Sequence, residues 1–70
     1  MLDVNKLKAK IVENGTSIPK MSEILNINPS TFYRKMKNNS FEIGEADKLV
    51  MELRLTKEEA TRIFFKQIVA

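Results

Sequence analysis

The chain has 70 residues, a net charge of +3, no cysteine and no histidine, and a sequence pI near 9.4. Those absences exclude disulfide staples, Cys/His zinc sites and His-dependent catalysis, so a domain small enough to bury only about 60% of its unfolded surface must be held by packing. Its 43% hydrophobic and 30% charged residues suit one folded domain over residues 1–70 better than a disordered tail.

The opening MLDVNKLKAK lacks the apolar run of roughly 7 to 15 residues that marks a secretory leader, and no segment approaches bilayer-spanning length. A soluble, cytoplasmic protein with no membrane partner is expected. Asp3 can cap a first helix whose apolar stripe is Val4, Leu7 and Ile11, with Lys6, Lys8 and Lys10 on the exposed side. Asn14 and Gly15 supply its stop.

Ser17 is a good N-cap for the second helix, Pro19 falls in the first turn where its missing N–H costs little, and Ile18, Met21 and Leu25 form one stripe. Asn26 sits where this helix should end in a left-handed residue. Asn28 can cap the third helix, Pro29 suits its first position, and Ile27 with Phe32 fit the N′ and N4 places of a hydrophobic staple. Phe32 and Met36 should then face the core, which turns Ser30, Arg34 and Lys37 outward and leaves Tyr33 at the border. Two short helices about a tight turn, residues 17–37, read as a helix-turn-helix.

That geometry predicts a reader of duplex DNA, because the first turn of such a helix can enter the major groove. Arg34 is the expected main base reader, pairing bidentately with guanine, and Asn28, Ser30 and Tyr33 are the next candidates, at base edges or at phosphates that set the register. Ser17, Lys20, Thr31, Lys35, Lys37, Asn38 and Asn39 are expected at phosphates. For any single lysine of the RKMK run, a solvated helix end favoured by the helix dipole is the better account. Phe32 and Met36 read as core, not as a stacking platform.

After a polar loop at Asn38, Asn39 and Ser40, a fourth helix carries Ile43, Ala46, Leu49, Val50 and Leu53 at helical spacing. Gly44 costs it little. Glu42, Glu45 and Asp47 could hold a cation loosely, but acids in a first turn are ordinary dipole partners, and no metal or other cofactor is expected. Leu55 should fill the gap before Thr56 and Glu59, which fit a capping box and start a fifth helix. Its inner stripe is Ala60, Ile63 and Phe64, continuing to Gln67 and Ile68, while Phe65 and Val69 point elsewhere. Phe65, Ile68 and Val69 are therefore candidates for a homodimer or partner interface, against the alternative that the C-terminus folds Phe65 back.

Charge is unevenly placed: residues 1–40 hold seven Lys or Arg against three acids, whereas residues 41–70 hold five against six. The basic half contains the two-helix pattern, an arrangement that steers toward phosphate. No alternating strand pattern or low-complexity run interrupts the chain. The expected fold is all-α, a compact five-helix bundle of sequential neighbours.

These residues resemble the Cro/cI-type phage repressors, the Xre family of small helix-turn-helix regulators, over most of the chain. The run IGEADKLVMELRLTKEEATRIFF is similar to the two helices that close that family's lambda-repressor-like domain. By this resemblance Ser17 matches the cap of the motif's first helix, and Ser22 matches a position usually held by a small alanine where the two helices touch. Asn26 stands where the family usually has glycine, and Ile27 and Phe32 stand at its apolar core positions. Pro29, Ser30 and Arg34 match base-reading positions, with Asn28 and Tyr33 beside them. Pro29 departs from the pattern, replacing a residue that is often a long amide with one that offers only apolar contact, such as to a thymine methyl. Lys35 departs too, standing where an apolar residue is usual. The resemblance implies double-stranded operator DNA as partner, in a bacterial or phage-infected host cell.

Two functions follow from different classes. One is a sequence-specific DNA-binding transcriptional regulator, Cro-like or repressor-like, monomeric or homodimeric. The other is an antirepressor or modulator that binds a partner repressor protein through the same small domain, an alternative motivated by the thinned base code and small net charge. An enzyme is not expected, because no metal motif, Gly-rich phosphate loop or paired nucleophile and base appears.

Overall fold

The computed structural model describes the backbone from residue 3 to residue 69, with side chains to residue 65. Five helices follow in order: α1 (Val4–Glu13), α2 (Ile18–Ile24), α3 (Pro29–Asn38), α4 (Ile43–Glu52) and α5 (Lys57–Val69). There is no strand among the described residues. The fold is all-α, and α2 packs against α3, α4 against α5, and α1 against α5.

Helix starts follow local chemistry. The Asp3 carboxylate accepts the Lys6 N–H at 3.0 Å, and the Ser17 hydroxyl oxygen accepts the Lys20 N–H at 3.3 Å. At α5 the capping box closes in both directions: Thr56 N–H donates to Glu59 at 3.0 Å, and Glu59 N–H donates to the Thr56 hydroxyl at 3.1 Å. Asn28 corrects the expectation of a side-chain cap. It occupies the N-cap position of α3, but its side chain makes no capping bond. Its carbonyl accepts the Phe32 N–H at 3.0 Å, and Pro29, with φ already set and no N–H to satisfy, starts the helix without help.

Four helices end alike. Gly15, Asn26, Asn39 and Arg54 adopt left-handed φ of 66°, 57°, 52° and 51° after α1, α2, α3 and α4. The following residue reaches back five positions in each case: Thr16 to Ile11 at 3.1 Å, Ile27 to Ser22 at 3.0 Å, Ser40 to Lys35 at 2.9 Å, and Leu55 to Val50 at 3.0 Å. This satisfies carbonyls that a helix end would otherwise leave open. Only one of the four is glycine, so the motif was visible at Gly15 and Asn26 and not at Arg54, which carries the steric cost of a side chain in this region.

The core takes Leu7 and Ile11 from α1, Met21 and Leu25 from the α2 segment, Phe32 and Met36 from α3, Ala46, Leu49 and Leu53 from the α4 segment, and Ile63 and Phe64 from α5. Two corrections concern α4. Ile43 is 60% exposed, and Phe41, two residues earlier, is buried instead. Phe41 meets Phe32 edge-on at 5.1 Å between ring centroids and Phe64 at 6.0 Å, so one ring joins the α3, α4 and α5 ends of the core. Its isolated place among polar residues gave no periodic signal. The path of α5 bends at Phe64 (φ −114°, ψ 32°), whose side chain is fully buried.

Lys10 also departs from the exposed role expected for it. Its side chain is only 15% exposed, and it pairs with Glu59 of α5 as well as with Glu13 at 3.5 Å. One turn on, the Asn14 amide donates to the Lys10 carbonyl at 2.8 Å and to the Leu53 carbonyl at 3.1 Å. A single side chain thus ties the C-terminal ends of α1 and α4.

Candidate nucleic-acid interface

The outer face of α3 follows from its inner one. With Phe32 and Met36 buried, the helical period turns Ser30, Tyr33, Arg34 and Lys37 toward solvent, and all four are exposed. Ser30 and Arg34 lie one turn apart, as do Tyr33 and Lys37, so the four make one continuous edge. Tyr33, expected at the border, is 52% exposed. Asn28 and Pro29 are exposed at the start of that edge and Asn38 at its end, while Thr31 and Asn39 are half-buried. Ser17 and Lys20 are exposed at the neighbouring start of α2.

Two local features hold this edge in place. The turn between α2 and α3 passes through the left-handed Asn26 (φ 57°), and Ile27 packs partly against the core beside it. On α2 Ser22 is fully buried. Its hydroxyl donates to the Ile18 carbonyl at 2.7 Å, so burial leaves its donor satisfied.

Lys35 does not belong to the exposed edge. Its ammonium lies 2.8 and 2.9 Å from the two carboxylate oxygens of Glu45, and the two side chains are 17% and 15% exposed. The charge is committed to α4. Glu45 also accepts the Glu42 N–H at 2.9 Å. Burial alone would push the Glu45 carboxyl upward, but the Lys35 hydrogen bond and the Glu42 N–H outweigh it and hold the group below its usual range. In the sequence Glu45 reads as a dipole partner or a loose cation ligand. Its reach to a lysine ten residues earlier had no local signal.

The second ion pair joins α1 to α5. Hydrogen bonding from Lys10, then from the Thr56 N–H, lowers the Glu59 carboxyl to about 2, and the same contact with Glu59 raises Lys10 above its ordinary 10.5.

The ten residues of α3 contain Arg34, Lys35 and Lys37 and no acid. With Lys35 neutralised, the exposed edge carries two cations, three hydroxyl or amide groups and one phenol, which can meet phosphates and base edges. Among the described residues no group of three or more acids could hold a metal ion, and no helix is long and apolar enough to cross a membrane. Phe65, expected at an interface, is 51% exposed, whereas the side chains of Ile68 and Val69 lie outside the described residues. No family model, curated protein or solved structure matches the chain.

Proposed function

We propose that the chain is a sequence-specific DNA-binding regulator in which α2 and α3 act as a helix-turn-helix, with α3 in the major groove. The observation that carries this reading is the acid-free outer edge of α3, exposed at Ser30, Tyr33, Arg34 and Lys37 while Phe32 and Met36 anchor the opposite side. Arg34 reads a base, Ser30 and Tyr33 flank it, and Pro29 offers apolar contact. Lys20, Lys37 and the hydroxyl of Ser17 contact phosphates; Lys35 instead fixes α3 to α4. The likeness to Cro/cI-type regulators belongs to this proposal and supports it through the same residues.

The half-exposed ring of Phe65 supports pairing of two copies, which would set two recognition helices about 34 Å apart on one face of the duplex. It equally supports the second reading, a modulator that binds a partner repressor. Selection of duplexes from a random pool by the purified chain tests both: an enriched palindrome is expected from a paired DNA reader. Absence of enrichment together with tight binding to a repressor would favour the modulator.

A further inference from the structure

Four surface grooves can be compared among the described residues. Three carry carboxylates: Glu23 in one, Glu58 and Glu59 in another, Glu13 and Glu52 in a third. The fourth carries none. It runs between α1, the start of α2 and α3, lined by Lys8, Val12, Ser17, Ile18, Pro19 and Tyr33 among others. Lys8 and Tyr33 are both exposed, so the lining offers a cation from α1 and the phenol at the edge of the α3 face. Val12, Ile18 and Pro19 make the rest of the lining apolar, with Val12 75% exposed.

We propose that this groove holds a sugar-phosphate stretch of the duplex, next to the bases faced by α3, with Lys8 as its phosphate contact. The inference rests on the DNA-binding reading and extends it to a third helix. Its support is complementarity of two kinds. A cation and hydroxyls with no acid in the lining suit a phosphodiester, which a carboxylate there would repel. Apolar walls of valine, isoleucine and proline suit the deoxyribose between phosphates. A protein segment would be met by the same apolar walls, but without an acid to pair with any cation it brought, and with Lys8 left for an acidic one alone. Tyr33 is shared by the groove and the α3 edge, so a strand in the groove is continuous with one read by α3.

The test compares single-residue variants of the full chain on a selected duplex and on random duplex over a range of salt. Lys8→Ala is expected to weaken both duplexes by the same factor and to lower the slope of log affinity against log salt by about 1. Lys8→Arg should restore the slope. Lys6→Ala, on the same helix but in the groove with Glu58 and Glu59, should leave the slope unchanged. Val12→Asp, at a position exposed enough to tolerate it, should weaken binding more than Lys8→Ala. Equal effects of Lys6→Ala and Lys8→Ala would overturn the proposal, since net charge and not the groove would then be at work. So would an unaltered slope for Lys8→Ala while Arg34→Ala loses discrimination, a result that leaves the reading of α3 intact. No retardation of any duplex by the unmodified chain at low salt would remove both.

Discussion

Lys35 and Glu45 form a two-point contact, 2.8 and 2.9 Å, between the last turn of α3 and the first turn of α4. Because Glu45 also accepts the Glu42 N–H, the pair couples the rotation of α3 to the start of α4. A cation on the helix that faces outward has thereby become part of the framework that orients its neighbours Arg34 and Tyr33.

Breaking that contact from one side should cost more than replacing it. Removing one partner strands the other where little water reaches it, whereas two neutral side chains leave no charge behind. Glu45→Gln is expected to lower unfolding free energy by about 1 to 2 kcal/mol, between the values usual for exposed and fully buried pairs. The double variant Lys35→Met with Glu45→Gln, which leaves no stranded charge and keeps an acceptor for the Glu42 N–H, should recover most of that loss. Urea denaturation midpoints measure both; a double variant no better than Glu45→Gln would show that the contact is not the stabilising element.

Arg34 should separate binding from folding. Its side chain is exposed on a face that contributes nothing to the core, so Arg34→Ala should shift stability by less than about 0.5 kcal/mol. Specific DNA affinity should fall by about 1 to 3 kcal/mol. Thermal melts and titration of the selected duplex are the two measurements, and an unchanged footprint would take the reading role from this residue.

Arg54 holds a left-handed φ of 51° where glycine meets no steric penalty. Arg54→Gly should raise stability by about 0.5 to 1 kcal/mol, the relief from the side chain exceeding the added freedom of the unfolded chain. At Asn26, which tolerates the same region more readily, the gain from glycine should be smaller, and Asn26→Val should be clearly destabilising. The order of the three denaturation midpoints checks the argument.

Acid should weaken the link between α1 and α5. The folded Glu59 carboxyl lies at about 2, below its ordinary 4.5, so the folded state binds its proton less readily than the unfolded chain does. Its contribution is therefore complete above about 4.5 and is lost as pH falls toward 2. Lys10 has the opposite sign: raised above 10.5, it contributes fully below that value and loses its contribution as pH climbs past it. Stability of the unmodified chain and of Glu59→Gln, measured across both ranges, should differ most near neutrality and converge at the acid end. A constant difference down to pH 2 would contradict the assignment.

The sites that sequence alone exposed are those whose causes lie within about one helical turn. Asp3, Ser17 and the Thr56–Glu59 box act on backbone groups three residues away, Gly15 and Asn26 act on their own φ, and the buried spacing of Phe32 and Met36 turned Ser30, Arg34 and Lys37 outward. Asn28 shows the limit even at short range: it holds the N-cap position of α3, yet its side chain makes no capping bond.

Helix number, order and the caps at Asp3, Ser17 and Thr56, and with them the composition of the outer edge of α3, were thus determined by the chain's local pattern, since propensity, caps and period need no distant partner. Tertiary structure alone decided which cations leave the exposed surface: Lys35 of α3 to Glu45, and Lys10 of α1 to Glu59. It also decided that Phe41 replaces Ile43 in the core, that the Asn14 amide reaches Leu53, 39 residues on, and that Lys8 and Tyr33 face one groove. Each of these depends on how helices cross, and a side chain's partner across such a crossing is fixed by three-dimensional packing that no interval along the chain encodes.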